Sequence, residues 1–446
     1  MSERVVILGA GESGVGAAIL ARKNGYDVFV SDSGSIKEVY KKELRDHQIE
    51  FEEAKHSREK ILNAALIMKS PGIPETNELV KEIRRQGIPV ISEIELAYRF
   101  KGDSRIIAVT GSNGKTTTTA LIYHICKEAG LDCALVGNIG KSIAKQVAED
   151  PKQIYVTEVS SFQLDDIVTF RPDIAVLVNI TEDHLDRYDY HFENYINSKF
   201  KIAENQTKDD YFIYSLDDEV TMTYLNRYSI QSNLFPFTMK NELKKGAFIR
   251  NGQMTISASD EKLEMSIFDF ALKGKHNQYN TMAAGLATSL MGIRNEKIRG
   301  AVETFENLAH RMEYVATVRG VDFYNDSKST NVNSAWYALE SQTRPTILIL
   351  GGIDKGNDYS ILRDLVREKV KAIVCMGLDN TKIHEAFAND VQLIVNTSSA
   401  KEAVQAAFHF ADKGDVVLLS PACASFDLFK NYEDRGNQFK EAVREL

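Results

Sequence analysis

A chain of 446 residues is too long for one hydrophobic core and asks for two or three domains. Its 43% hydrophobic and 26% charged content is that of a soluble globular protein, and a formal net charge of −9 lacks the basic excess of a nucleic-acid-binding surface. The four cysteines, Cys126, Cys133, Cys375 and Cys423, form neither a CxxC pair nor a zinc spacing, which argues against a metal clip and suits a reducing cytoplasm. No uncharged apolar stretch approaches roughly 18 residues. The run at 5–8 is too short for a signal-peptide core, so neither a membrane span nor a targeting segment is expected.

Along the chain, apolar runs alternate with amphipathic stretches. The runs are residues 5–8 (VVIL), 27–30 (DVFV), 65–68 (ALIM), 106–109 (IIAV), 154–159 (IYVTEV), 174–178 (IAVLV), 346–350 (TILIL), 372–376 (AIVCM) and 416–419 (VVLL). Many are β-branched and bounded by Gly, Pro, Asp or Asn, the pattern of buried parallel strands with helices between them. The predicted fold class is therefore α/β, repeated in separate units. Glycine-rich turns follow three of the strands, at 9–14 (GAGESG), 111–116 (GSNGKT) and 351–356 (GGIDKG). Each can open a ligand site at the carboxyl edge of a sheet. Their spacing predicts three domains, over residues 1–94, 95–307 and 308–446. Residues 221–270 show only a hairpin turn at Arg250-Asn251-Gly252.

The first turn fits a dinucleotide fingerprint. Gly9, Gly11 and Gly14 stand between a strand and a helix, and Asp32 ends the next strand. Read alone, it favours a nicotinamide or flavin enzyme. Its physics is broader, because glycines that bring backbone and a helix N-terminus up to a diphosphate serve a UDP-sugar equally well. The second turn decides the energy source. Gly111, Ser112, Asn113, Gly114, Lys115, Thr116 and Thr117 form a phosphate-binding loop, shorter than the standard one, whose first glycine would fall at Val109. Successive backbone N–H groups make an anion nest, Lys115 reaches the β/γ-phosphates, and Thr116 can hold Mg²⁺. A dehydrogenase has no use for such a loop. Glu158 ends a strand where an acidic Mg²⁺ ligand belongs. Asn277 and Asn280, three apart, share one face of a predicted helix. Lys199 reads, by itself, as a lysine on the solvated face of a helix.

Taken together, residues 110–117 (TGSNGKTT), 137–140 (GNIG), 158–164 (EVSSFQL), 179–188 (NITEDHLDRY) and 274–280 (GKHNQYN) resemble the Mur ligases, bacterial enzymes that build the cell-wall peptide stem. Residues 309–313 (AHRME), 325–331 (NDSKSTN), 351–356 (GGIDKG) and 419–436 (LSPACASFDLFKNYEDRG) resemble the D-glutamate-adding branch of that family. The motifs run in the expected order from Gly9 to Gly436, with only 221–270 unsupported. A folylpolyglutamate-synthetase-like enzyme would share the central loop but not residues 419–436. A dehydrogenase would leave the later motifs unexplained. A nucleotide-switched binding protein would bind ATP without turnover dependent on an amino acid.

The resemblance implies a Rossmann-like N-terminal domain for the UDP-sugar, a central P-loop ATPase-like domain, and a C-terminal Rossmann-like domain that closes over ATP and binds D-glutamate. It implies a cytoplasmic, monomeric enzyme that uses ATP and Mg²⁺ to join D-glutamate to UDP-N-acetylmuramoyl-L-alanine through an acyl phosphate. It places Lys115, His184 and Lys199 in catalysis, with Thr116, Glu158, His184 and a carbamylated Lys199 around the metal. It assigns Asn277, Asn280, His310, Arg311, Asp326 and Lys328 to ATP. The UDP-substrate would meet Gly14, Val15, Asp32, Ser33 and Gly72, with Asn138 and Gln163 nearer the muramoyl-alanine. D-Glutamate would meet Thr330, Lys355, Ser425, Phe426 and Tyr432, where the family often has Phe at the Tyr432 position. Lys355 and Ser425 suit the side-chain carboxylate of a dicarboxylate substrate.

Overall fold

In the computed structural model, which describes residues 3–258, 261–306 and 309–446, the buried apolar runs build three separate sheets. The first holds five parallel strands in the order Glu50–Glu52, Asp27–Ser31, Arg4–Leu8, Leu66–Lys69, Val90–Ile91. Alternate residues of these strands face opposite ways. Val5, Ile7, Val28 and Val30 pack with the helix Glu12–Lys23, whereas Val6, Leu8, Phe29 and Ile67 pack with Leu79 and Ile83 of the helix Glu78–Arg85. Connections leaving Arg4–Leu8 and Leu66–Lys69 on opposite faces open a crevice at the carboxyl ends of these two strands.

The second sheet has nine strands. Its centre is parallel: Cys133–Gly137, Ile154–Glu158, Arg105–Thr110, Ile174–Leu177, Tyr211–Ser215 and Asn233–Thr238. It continues into Gly246–Arg250, Gln253–Ser257 and Leu263–Ser266, the last three antiparallel to one another. The predicted turn is there, with Arg250 paired to Gln253 and left-handed φ values of 51° at Asn251 and 75° at Gly252. Two such residues give the loop the twist its strands need. The strands around it escaped the sequence reading because they alternate apolar and polar residues and one contains Pro236.

The third sheet runs Glu313–Val318, Val321–Asn325, Val416–Leu419, Thr346–Leu350, Val370–Met376, Ile394–Thr397, with only the first strand antiparallel. By its internal contacts the chain forms two compact units, one of Met1–Phe270 with Tyr279–Thr304, the other of Ala271–Gln278 with Phe305–Leu446. The first two sheets therefore belong to one unit. The expected boundary after residue 94 falls inside the helix Glu93–Phe100, and the one at 307/308 lies outside the described residues. Among the described residues no helix is long and apolar enough to cross a membrane.

Two buried carboxylates join the sheets of the first unit. Glu93 accepts from the Ser142 hydroxyl at 2.5 Å and the Ala144 amide at 3.2 Å. Glu95, fully buried, accepts the amides of Val168, Thr169 and Phe170 at 3.0, 2.8 and 2.7 Å, the Thr169 hydroxyl at 2.7 Å and Arg99 Nε at 2.9 Å. Burial pushes the Glu95 carboxyl up, but these five donors outweigh it and hold its pKa below the ordinary value. Its stabilisation is therefore present above the unfolded carboxylate pKa and is lost as pH falls through the lower folded one. Glu95→Gln, which turns an amide group toward N–H donors, is expected to lower stability by about 1–3 kcal/mol in urea unfolding at neutral pH. The deficit should shrink in acid; a deficit independent of pH would contradict the assignment.

Candidate active site

The loop between the strand Arg105–Thr110 and the helix Lys115–Glu128 is built on conformations that only glycine adopts easily. Gly111 has a φ of 149° and Gly114 of 82°, and a Cβ on Gly114 would lie 2.4 Å from Asn280 Oδ1. Its shape is held from the side by residues 179–181. Ser112 N donates to Asn179 O at 2.9 Å, Asn113 N to Asn179 Oδ1 at 2.9 Å, and the Ser112 hydroxyl to Thr181 O at 2.8 Å. Asn280 Oδ1 also accepts from Thr118 Oγ1 at 3.2 Å. Lys115 folds back along the loop, donating to Gly111 O at 2.7 Å and Ser112 O at 2.9 Å. Thr116 and Thr117 are buried at the first turn of the helix.

Lys199 is not on a solvated face. It is 1% exposed, donates to Gly111 O at 2.8 Å, and stands 4.5 Å from the centre of the Tyr195 ring one helical turn earlier. The helix Phe192–Phe200 presses this lysine against the glycine-rich loop, so tertiary packing overrides the expectation from its charge. Burial, and then the positive charge of Lys115, depress its pKa well below that of a free lysine. Tyr195, whose hydroxyl lies 3.1 Å from Ser112 Oγ, is a site residue that sequence reasoning missed; its i, i+4 spacing to Lys199 was the available signal.

Glu158 ends the neighbouring strand Ile154–Glu158, with Val109 as its cross-strand partner, and is 1% exposed. Asn138 Nδ2 donates to its Oε1 at 2.7 Å. His184 adopts a left-handed φ of 53° and packs edge-on against Phe162 at 5.1 Å. Among the described residues no three His, Cys, Asp or Glu side chains form a cage for a metal. One or two carboxylates at a phosphate loop nevertheless suit Mg²⁺, which keeps most of its water and binds through phosphate. Glu158, a buried carboxylate oriented by the Asn138 amide on the strand next to the one that enters the loop, fits that demand.

At the first sheet, Gly14 allows the helix onto the turn, because a Cβ there would meet Gly9 O at 1.8 Å. Val15 is buried beneath it, while Gly72 is exposed. Asp32 receives the amides of Ala10 at 2.7 Å and Gly34 at 2.8 Å, and lines a cavity of about 110 Å³ together with Ser33. Gln163 is 1% exposed, and its Oε1 accepts from the amide and hydroxyl of Ser160, both at 3.0 Å. This capping box holds the Gln163 side chain at the start of the helix Ser161–Asp165.

In the second unit, Asp326 is 3% exposed and accepts from the Ser329 hydroxyl, from Ser420 Oγ at 3.0 Å and from Met312 N at 3.1 Å. Burial nonetheless pushes its pKa up to about 6. His310, also buried, stands 2.9 Å from Asn325 Nδ2 through its Nδ1, and burial lowers its pKa. Arg311 follows in the same turn, and Lys328 Nζ lies 5.3 Å from the Tyr432 ring. Asn277 donates to Lys273 O at 2.8 Å. The loop carrying Lys355 is tied to the one carrying Ser425, since Ile353 N donates to Ala424 O at 2.8 Å and Asn357 Nδ2 to Ala422 O at 3.1 Å. Ser425 is buried and Thr330 half-buried, whereas Lys355 and Phe426 are exposed. Beneath them lies Arg435, fully buried, which sequence reasoning passed over as one charge in a polar helix. It donates to Ser327 O at 2.8 Å, Ser327 Oγ at 3.0 Å, Cys423 O at 3.2 Å and Gly351 O at 3.4 Å, tying three motif loops together.

Family models match along the chain in this order: the MurD N-terminal domain over 4–79, the Mur ligase middle domain over 109–288, and the Mur ligase glutamate ligase domain over 310–423. The UDP-N-acetylmuramoylalanine--D-glutamate ligase of Christiangramia forsetii is 53% identical over 446 residues, covering all of both chains. That of Bacteroides fragilis is 53% identical over 445 residues, again covering both fully. Among solved structures, a pseudomurein peptide ligase type C from Methanothermus fervidus matches with a TM-score of 0.64 at 18% identity, covering both chains fully. The UDP-N-acetylmuramate-alanine ligase MurC of Thermotoga maritima matches with a TM-score of 0.64 at 17% identity, also covering both chains fully. The structural likenesses speak for the fold, the sequence identities for descent: this chain belongs to the Mur ligase family, among its UDP-N-acetylmuramoylalanine--D-glutamate ligases.

Proposed function

We propose that this chain joins D-glutamate to the alanyl carboxylate of UDP-N-acetylmuramoyl-L-alanine, with ATP as the source of activation. A carboxylate is a poor electrophile. Transfer of the γ-phosphoryl group makes an acyl phosphate; the amine of D-glutamate attacks its carbonyl carbon, and the tetrahedral adduct expels phosphate to leave the amide. The observation that carries this reading is the glycine-built loop with Lys115 and Lys199 both on the Gly111 carbonyl, in a chain of this family.

Phosphoryl transfer asks for positioned positive charge around the equatorial oxygens more than for covalent chemistry. Lys115, held by two carbonyls, supplies it by exchanging them for the β/γ-phosphates. Thr116, Glu158 and His184 would hold Mg²⁺, which supplies further charge neutralisation at the phosphates when bound. The burial that lowers the pKa of Lys199 favours the free amine that takes up CO₂, and the carbamate would add an anionic oxygen to the same set. Asn280 beside Gly114, with Asn277, is assigned to the adenine; Asp326 to the ribose; His310, Arg311 and Lys328 to the nucleotide phosphates. Lys355 and Ser425 are assigned to the side-chain carboxylate of D-glutamate, with Thr330, Phe426 and Tyr432 around it. Asp32, Ser33, Gly14, Val15 and Gly72 are assigned to the UDP group, and Asn138 with Gln163 to the muramoyl-alanine end.

Phosphate release from ATP is expected to require both UDP-N-acetylmuramoyl-L-alanine and D-glutamate, with L-glutamate inactive. Release that ignores the amino acid would contradict the reading. Lys115→Ala should lower kcat by about 10²–10³-fold. Its affinity for the UDP-substrate in a binding titration should stay within error of the parent's, and loss of both would show the sites misplaced. Lys199→Ala should be inactive and recover part of its rate with added short carboxylic acids. Lys201→Ala, whose ammonium instead donates to Asp165 O at 3.0 Å, should stay active.

A further inference from the structure

Glu93 opens the helix Glu93–Phe100 with its side chain fully buried, and it reaches two segments that belong to different ligand sites. On one side lies the loop 137–142. Glu93 Oε1 accepts from Ser142 Oγ at 2.5 Å and from Ala144 N at 3.2 Å, which fixes that loop where the helix Ile143–Glu149 begins. The other end of the loop is tied to Glu158. Asn138 N donates to Glu158 O at 2.9 Å and Asn138 Nδ2 to Glu158 Oε1 at 2.7 Å, while Gly137 N closes the loop on Lys141 O at 3.0 Å. Little slack remains between the two ends. Gly137 and Gly140 have φ values of 101° and 75°, and a Cβ on either would lie 2.4 Å from a backbone oxygen, Glu158 O and Leu135 O respectively.

On the other side lies the helix Glu12–Lys23, which follows the first glycine turn. The Ser13 hydroxyl stands close enough to stabilise the Glu93 carboxylate. Ser142 N lies 3.5 Å from Glu12 Oε1, and a Cβ on Gly16 would lie 2.0 Å from Ser142 Oγ, so glycine lets the helix close on this serine. A cap for Ile143–Glu149 needs no acid from elsewhere, because Ser142 already caps it through Lys145 N at 3.0 Å. What Glu93 adds is the position of Ser142 itself. Burial pushes the Glu93 carboxyl up despite its donors. A hydroxyl and an amide ask for an acceptor oxygen, which a neutral carboxyl or a carboxamide also supplies. Resting on the reading that the UDP diphosphate meets the helix Glu12–Lys23 and Mg²⁺ meets Glu158, we infer that Glu93 is a positioning residue shared by both sites. Through Ser142 it sets the loop that aims Asn138 at Glu158, and at the same buried point it seats the helix under the diphosphate. Groups that orient a metal ligand govern metal affinity without touching the metal.

Phosphate-release kinetics of the full chain test this through three constants: the Mg²⁺ activation constant, the KM for UDP-N-acetylmuramoyl-L-alanine and the KM for D-glutamate. Glu93→Leu, similar in size but without an acceptor, should raise the first two by about tenfold each. It should leave the third unmoved, because the residues assigned to D-glutamate lie in the second unit. Glu93→Gln, which keeps an acceptor, should return both constants most of the way. Ser142→Ala, which cuts the tie to the loop alone, should raise the Mg²⁺ constant more than the KM for the UDP-substrate, and it decides the matter should Glu93→Leu fail to fold. A merely structural role would lower the active fraction, and so kcat, with all three constants unmoved. That result in Ser142→Ala, or in a folded Glu93→Leu, would overturn the inference and leave the proposed reaction standing. A parent whose phosphate release ignores UDP-N-acetylmuramoyl-L-alanine would overturn the inference together with the reading beneath it.

Discussion

Two lysines meet on one buried carbonyl, and burial together with the charge of Lys115 lowers the pKa of Lys199. That constraint organises the central site. Gly111 offers its carbonyl to both Lys115 and Lys199, and its φ of 149° is one that favours glycine. Lys115 lies at the start of the helix Lys115–Glu128, half-buried on the glycine-rich loop. Lys199 is enclosed by Tyr195 and the loop, and is the one displaced toward neutrality. Ser112, Thr181, Asn179 and Tyr195 hold the loop in the shape that imposes this choice.

The same economy appears at the other two sheets. A cluster of glycines lets chain segments approach, and a buried polar side chain then fixes what they carry. At the first sheet Asp32 holds the turn through Ala10 and Gly34, and Glu52 fixes Ser31 and His56. In the second unit a fully buried arginine, Arg435, donates to carbonyls and a hydroxyl, with no carboxylate among its hydrogen-bond partners in the described residues. Burial lowers its pKa to about 10, which leaves it charged at neutral pH. Its guanidinium fork satisfies carbonyls of the loops at Ser327, Gly351 and Cys423 at once, a geometry lysine cannot reproduce.

Parallel strands and phosphate loop were legible in the sequence because buried runs such as 106–109 and a glycine-lysine turn are local signals. The strands from Gly246 to Ser266 were not, apart from their turn, because one-face burial leaves only an alternation that charged residues blur. At the site, residues that carry a motif could be named in advance, but their burial could not. Lys199 looked solvated, and Arg435 carried no local signal; the burial of each is decided by what packs on it from another part of the chain.

The central proposal is that burial beside Lys115, which lowers the pKa of Lys199, favours the free amine that reacts with CO₂. Carbon-13 NMR of the protein equilibrated with labelled bicarbonate tests it most directly. The account predicts a carbamate resonance in the parent chain that disappears in Lys199→Ala and persists in Lys201→Ala. A parent without that resonance, or a resonance that survives Lys199→Ala, would contradict it.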